Sequence, residues 1–106
     1  MTTPTVARSY FRKWFTAAGT PLRAAHDRAY LRSDLRFYGA TVPEIRRASA
    51  AFARAHPDLT RAELRAIVAA LYASGWNEER SAAIALLAHY TAVLRESDLP
   101  WLAKLA

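Results

Sequence analysis

From Val6 to Leu105 the large apolar residues recur every three or four positions, and each run ends where a helix stop meets a helix start. That period lines one face of a helix, whereas a strand needs alternation, and no alternation of β-branched residues here survives five positions. The chain is therefore read as all-α.

The first predicted helix covers residues 4–18, with Val6, Tyr10, Phe11, Trp14, Phe15 and Ala18 on its apolar side and Gly19 closing it. Its aromatics sit at helical spacing and are expected in a core rather than on a base-stacking platform. Thr20-Pro21 offers a cap and a first-turn proline for a second helix, which the pattern carries to about Leu35 through Leu22, Ala25, Ala29 and Tyr30. Thr41 or Val42 precedes a third, with Pro43 near its start, Ile45, Ala48 and Phe52 inside it and Pro57 beyond its end. Thr60-Arg61-Ala62-Glu63 fits a capping box and opens a fourth helix through Leu64, Ile67, Val68 and Leu71, stopping by Gly75. Asn77 is expected to cap a fifth, with an apolar stripe of Ala83, Ile84, Leu87, Ala88 and Thr91. Ser97 or Asp98 caps a sixth, with Pro100 in its first turn.

Short connections make consecutive helices antiparallel neighbours. Helix starts near 43 and 78, and near 61 and 99, lie about one two-helix unit apart, the spacing of a HEAT-like α-solenoid built from stacked helix pairs. An ordinary six-helix bundle fits the same periodicity. With 106 residues, 53% of them hydrophobic, the chain suits a single domain over residues 1–106. The last predicted helix shows Trp101, Leu102 and Leu105 and then breaks off, so the sequence reads as the N-terminal part of a longer protein; those apolar groups also suit self-association.

No run of 18 apolar residues occurs, the N-terminus lacks a signal-peptide core, and there is no cysteine. A cytoplasmic protein with no membrane partner is expected. His26, His56 and His89 are about thirty residues apart without metal-ligand spacing, and three glycines leave no phosphate loop. Glu78 and Glu79 are explained by the positive end of the fifth helix, and Glu44 by the first turn of the third. No catalytic residue, cofactor or metal site is assigned.

Charge is more informative. Residues 1–54 carry ten Lys and Arg against three acids, whereas residues 55–106 carry five against six, so the net +6 sits wholly in the first half. Arg28, Arg32 and Arg36 fall at i, i+4 and i+8 and form one stripe, which like-charge repulsion disfavours without some compensating use. Arg46 and Arg47 lie just inside the third helix, where the dipole already favours anions, and Arg54 follows two turns later. Guanidinium groups grip phosphate oxygens bidentately, so such a ridge can hold a duplex backbone without reading sequence. The plain alternative is a solvated basic face with pairs such as Arg23–Asp27.

The run from Tyr30 to Arg47, above all Tyr30, Phe37, Gly39, Pro43 and Arg46, resembles the signature of the DNA alkylation repair glycosylases built from HEAT-like repeats. Leu71-Tyr72, then Glu79-Arg80-Ser81-Ala82-Ala83 closing at His89-Tyr90, is similar to that family's next landmark, and Leu99-Pro100-Trp101-Leu102 to the one after. The resemblance implies a helical solenoid that cradles duplex DNA on a basic face and hydrolyses the N-glycosidic bond of N3- or N7-alkylated purines without a metal. The family's catalytic Trp and Asp follow the start of the sixth helix, beyond this sequence, and Trp101 resembles a packing position. Catalytic residues are therefore carried over to none, and enzymatic activity of this chain stays open. Nucleic-acid-binding residues are expected at Tyr30, Arg32, Arg36, Arg46 and Arg47, against sequence-independent double-stranded DNA, with a nucleoid location when bound. Val42 stands where relatives often carry a hydroxyl. The second reading is a non-enzymatic helical-repeat module that binds nucleic acid or protein.

Overall fold

The computed structural model describes residues 1–31 and 34–105. Its described residues form helices α1 (Pro4–Ala18), α2 (Pro21–Leu31), α3 (Val42–Ala55), α4 (Arg61–Tyr72), α5 (Asn77–His89) and α6 (Leu99–Leu105), with two short 3-10 turns between α5 and α6. Among these residues there is no strand, only an isolated parallel bridge between Arg36 and Trp76. The all-α expectation holds, and the packing is consistent with an α-solenoid-like arrangement.

Hydroxyl caps set the helix starts. Thr3 accepts from the Val6 N–H at 3.2 Å and opens α1. Thr41 and Thr60 each form a full capping box, with Glu44 and Glu63 returning the bond to the cap's own N–H. The body is α1, α3, α4 and α5: α5 lies against both α3 and α4, and α1 crosses α3 and α4 on the other side. Phe11, Phe15, Phe52, Leu64, Ile67, Leu71 and Leu86 are fully buried at its centre. Phe11 stacks on Phe52 at 5.3 Å while Tyr10 meets Phe52 edge-on at 5.4 Å, so the aromatics of α1 are core, as their spacing implies.

Neighbours differ from the simple antiparallel chain. α4 and α5 are adjacent as expected, but α3 packs mainly on α5 rather than on α4, and α2 has no extensive contact with any helix. The apolar side of α2 is mostly alanine, which removes too little area from water to hold it; Leu22 stays 84% exposed. The buried stripe of α5 is also displaced. Ala82, Ala83 and Leu86 face the core together with Glu78 and Glu79, while Ile84 and Ala88 are exposed. Two inward carboxylates shift the register that apolar residues alone suggested. Asn77 is the first residue of α5, not its cap; Trp76 holds the cap position without a side-chain bond.

Asp98 is fully buried and faces α4 instead of capping α6. It accepts from Arg61 Nη2 at 2.6 Å and Arg65 Nη1 at 3.3 Å, and takes the Arg95 N–H at 2.8 Å. Trp101 of α6 lies half-buried under the Arg65 guanidinium, 4.8 Å from its ring centre. This clip ties the last helix to α4.

Candidate nucleic-acid interface

The segment between α2 and α3 is shaped by a carboxylate from α5. Glu78 accepts the backbone N–H of Tyr38 on Oε1 at 3.0 Å, and those of Gly39 and Ala40 on Oε2 at 2.9 and 3.0 Å. Gly39 takes φ +83°, and a Cβ there would collide with the Thr20 carbonyl, so the tight turn needs glycine. Arg23 of α2 donates to the Gly39 carbonyl at 2.9 Å and approaches Glu44 at 3.5 Å. It therefore pairs with the α3 capping box rather than with Asp27, which lies 3.6 Å from His26.

Glu79 completes the anchor. Its two oxygens accept from Arg8 Nε at 2.8 Å and from the Tyr38 hydroxyl at 2.6 Å. Burial, reinforced by the Glu79 carboxylate, pushes the Tyr38 phenol up to about 12. The Tyr38 ring stacks on Trp76 at 4.0 Å and 17°, and Phe37 beside it is buried. Glu78 and Glu79 are thus fully buried structural carboxyl groups in the first turn of α5, not surface residues. Among the described residues no buried side-chain N or O atom lacks a partner.

Of the expected contact residues, Arg36 precedes this anchored turn in the chain and Arg46 and Arg47 follow it on α3. Arg46 and Arg47 are exposed one turn into α3, and the positive charge of Arg47 helps hold the Glu44 carboxyl below its ordinary range, after the stronger Thr41 bonds. Arg36 is exposed in the extended segment, its N–H on the Gly75 carbonyl and its own carbonyl on the Asn77 N–H, each at 2.9 Å. Tyr30 is 79% exposed in the last turn of α2, its ring facing His26 at 6.4 Å. Arg32 lies outside the described residues. Arg36 lies in a bridge to Trp76 rather than in a helix, so it does not share a helical stripe with Arg28.

The described chain thus presents exposed guanidinium groups on a turn fixed from three elements, and no helix among the described residues is long and apolar enough to cross a membrane. The family model described as DNA alkylation repair enzyme matches residues 11–106. This chain belongs to the DNA alkylation repair enzyme family. No curated protein and no solved structure matches it. The match to this DNA alkylation repair family begins inside α1 and takes in the anchored turn, the α5 carboxylates and the α6 clip. Membership points to DNA as substrate or partner. Sequence reasoning missed Glu78, Glu79 and Trp76 as the parts that build the turn. Their partners stand about forty residues away, where no local spacing reveals them.

Proposed function

We propose that this chain supplies duplex-DNA backbone contacts to a DNA alkylation repair glycosylase, a protein that hydrolyses the N-glycosidic bond of N3- or N7-alkylated purines. The observation that carries the reading is the Glu78-anchored turn flanked by exposed Arg36, Arg46 and Arg47. A binding surface gains most when its cations are attached to backbone that has already lost its freedom, because less entropy remains to be lost on association. The Tyr30 hydroxyl and Arg32 extend the same set. Phosphate contacts position the duplex without reading its sequence, as a lesion-scanning protein requires. No residue of this chain is given a chemical step.

Titration of a fluorescein-labelled duplex by anisotropy across a salt series tests this. Each neutralised phosphate contributes about −0.9 to the log–log slope, so three contacts give roughly −3. Arg46→Ala with Arg47→Ala is expected to weaken binding and flatten the slope by about 2. Unchanged affinity and slope in that double variant defeat the backbone reading and favour a helical-repeat module for a protein partner.

A further inference from the structure

Exposed Arg36 is held at the end of a column of rings. Its backbone is fixed in both directions to the α4–α5 corner through Gly75 and Asn77. Its guanidinium carbon lies 5.9 Å from the Trp76 ring centre. Trp76 stacks in turn on Tyr38, and Tyr38 is bolted by its hydroxyl to buried Glu79 and by its N–H to buried Glu78.

We propose that Trp76 is a positioning residue for DNA binding, holding the Arg36 guanidinium by its face so that the edge is free for a backbone phosphate. The inference rests on the backbone-binding reading above. A guanidinium can do both at once, since its five N–H donors lie in its plane and the ring attracts it from above. Among the described residues, the other two arginines over aromatic rings differ in this respect. Arg80 over Tyr72 also donates to the Tyr72 hydroxyl at 2.6 Å, and Arg65 over Trp101 also pairs with Asp98 at 3.3 Å. Their N–H groups are partly spent inside the protein. Arg36 makes no side-chain hydrogen bond or ion pair among the described residues, so its donors remain available.

Stacking also confines a side chain that otherwise carries much rotamer freedom. Losing that restraint adds its ordering cost to association, which corresponds to about a three- to tenfold rise in Kd. Among the described residues no ring lies beneath the Arg46 guanidinium.

Duplex affinity and salt slope of five variants test the proposal, with circular dichroism confirming that each is folded. Arg36→Ala is expected to weaken binding and reduce the slope by about 0.9. Trp76→Leu keeps every charge and covers Tyr38, yet should weaken binding about three- to tenfold. Trp76→Phe, which retains a ring face, should bind close to the parent protein. In an Arg36→Ala background, Trp76→Leu should add nothing, because the group it positions is gone. Arg36→Lys keeps the charge but loses the planar face, and should weaken binding even where Trp76→Leu proves poorly folded. Parent-like affinity in Trp76→Leu or in Arg36→Lys overturns the proposal, as does an equal loss from Trp76→Leu with and without Arg36. If Arg36→Ala is silent while Arg46→Ala with Arg47→Ala weakens binding, the positioning role falls and the backbone reading stands. If neither weakens it, both fall.

Discussion

Glu78 Oε2 accepts the Gly39 N–H at 2.9 Å across 39 positions of chain, joining the first turn of α5 to the turn that launches α3. The same side chain satisfies the N–H groups on either side, so one buried acceptor group replaces the partners that three consecutive backbone donors would have had in water. Three directional bonds to one side chain hold the turn in place. The exposed arginines beside it inherit that rigidity.

Glu78→Ala should accordingly be among the most destabilising single changes. It strands three backbone donors, two of them buried, at about 1–3 kcal/mol for each buried one before relaxation, and a total near 3–5 kcal/mol is expected. Glu78→Gln keeps an acceptor oxygen but turns an NH₂ toward a donor, and should fall between. Urea unfolding midpoints measure both, and a Glu78→Ala variant within about 1 kcal/mol of the parent contradicts the anchor.

Two glycines separate backbone conformation from space. Gly39 and Gly75 have φ of +83° and +86°, but a Cβ at Gly39 would meet the Thr20 carbonyl and the Ala24 amide, whereas at Gly75 nothing lies within 4 Å. Gly75→Ala should cost only the left-handed conformation, roughly 1–2 kcal/mol. Gly39→Ala adds a collision with backbone that cannot yield, so its thermal midpoint should fall clearly further. Equal losses in the two variants contradict the close approach of α2 to the turn.

The helices were legible because their signals are local. Thr41 and Thr60 declare themselves by position before a first turn, and the aromatics of α1 by their period. The departure of Arg36 from the helical period was not, since the apolar pattern runs to Leu35 with no glycine or proline until Gly39. Arg36 pairs instead with Gly75 and Asn77 of the α4–α5 corner, a long-range event. The inward carboxylates were hidden for the same reason. An acid in a first helical turn has an adequate surface explanation, and only Arg8, Tyr38 and Arg61 arriving from elsewhere make Glu79 and Asp98 interior groups. The basic residues of the candidate interface were legible as charge, but the ring column beneath Arg36 was not.

The aromatic centre gives a prediction independent of any polar group. Phe52 is fully buried, stacked on Phe11 and met edge-on by Tyr10, with the His56 ring 4.5 Å away. Phe52→Ala should cost about 3–5 kcal/mol through lost burial and the cavity left behind, and Phe52→Leu markedly less. Chemical denaturation resolves the order, and a Phe52→Leu variant as unstable as Phe52→Ala would contradict the packing.

Stability should also fall at both ends of the pH scale, for separate reasons. The bond from Arg61 is the main cause holding the Asp98 carboxyl below its ordinary value of 3.8, and the cap N–H groups of Thr60 and Thr41 do the same for Glu63 and Glu44. A depressed folded value means that the unfolded chain takes up protons first. The contribution of these groups is therefore complete above about pH 5 and drains away as pH falls below about 4. Asp98→Asn should lower stability at neutral pH yet flatten the acid limb, with Trp101 fluorescence reporting release of α6 from α4. At the alkaline end the sign reverses. Tyr38, raised to about 12, favours the folded chain only while its phenol keeps its proton, so stability should decline from about pH 10 upward. Tyr38→Phe should shorten the last phase of a 295 nm tyrosinate titration, since it removes a phenol that ionises well above the free value. A titration whose final phase is unchanged in that variant would contradict a phenol held back by burial and by the Glu79 bond.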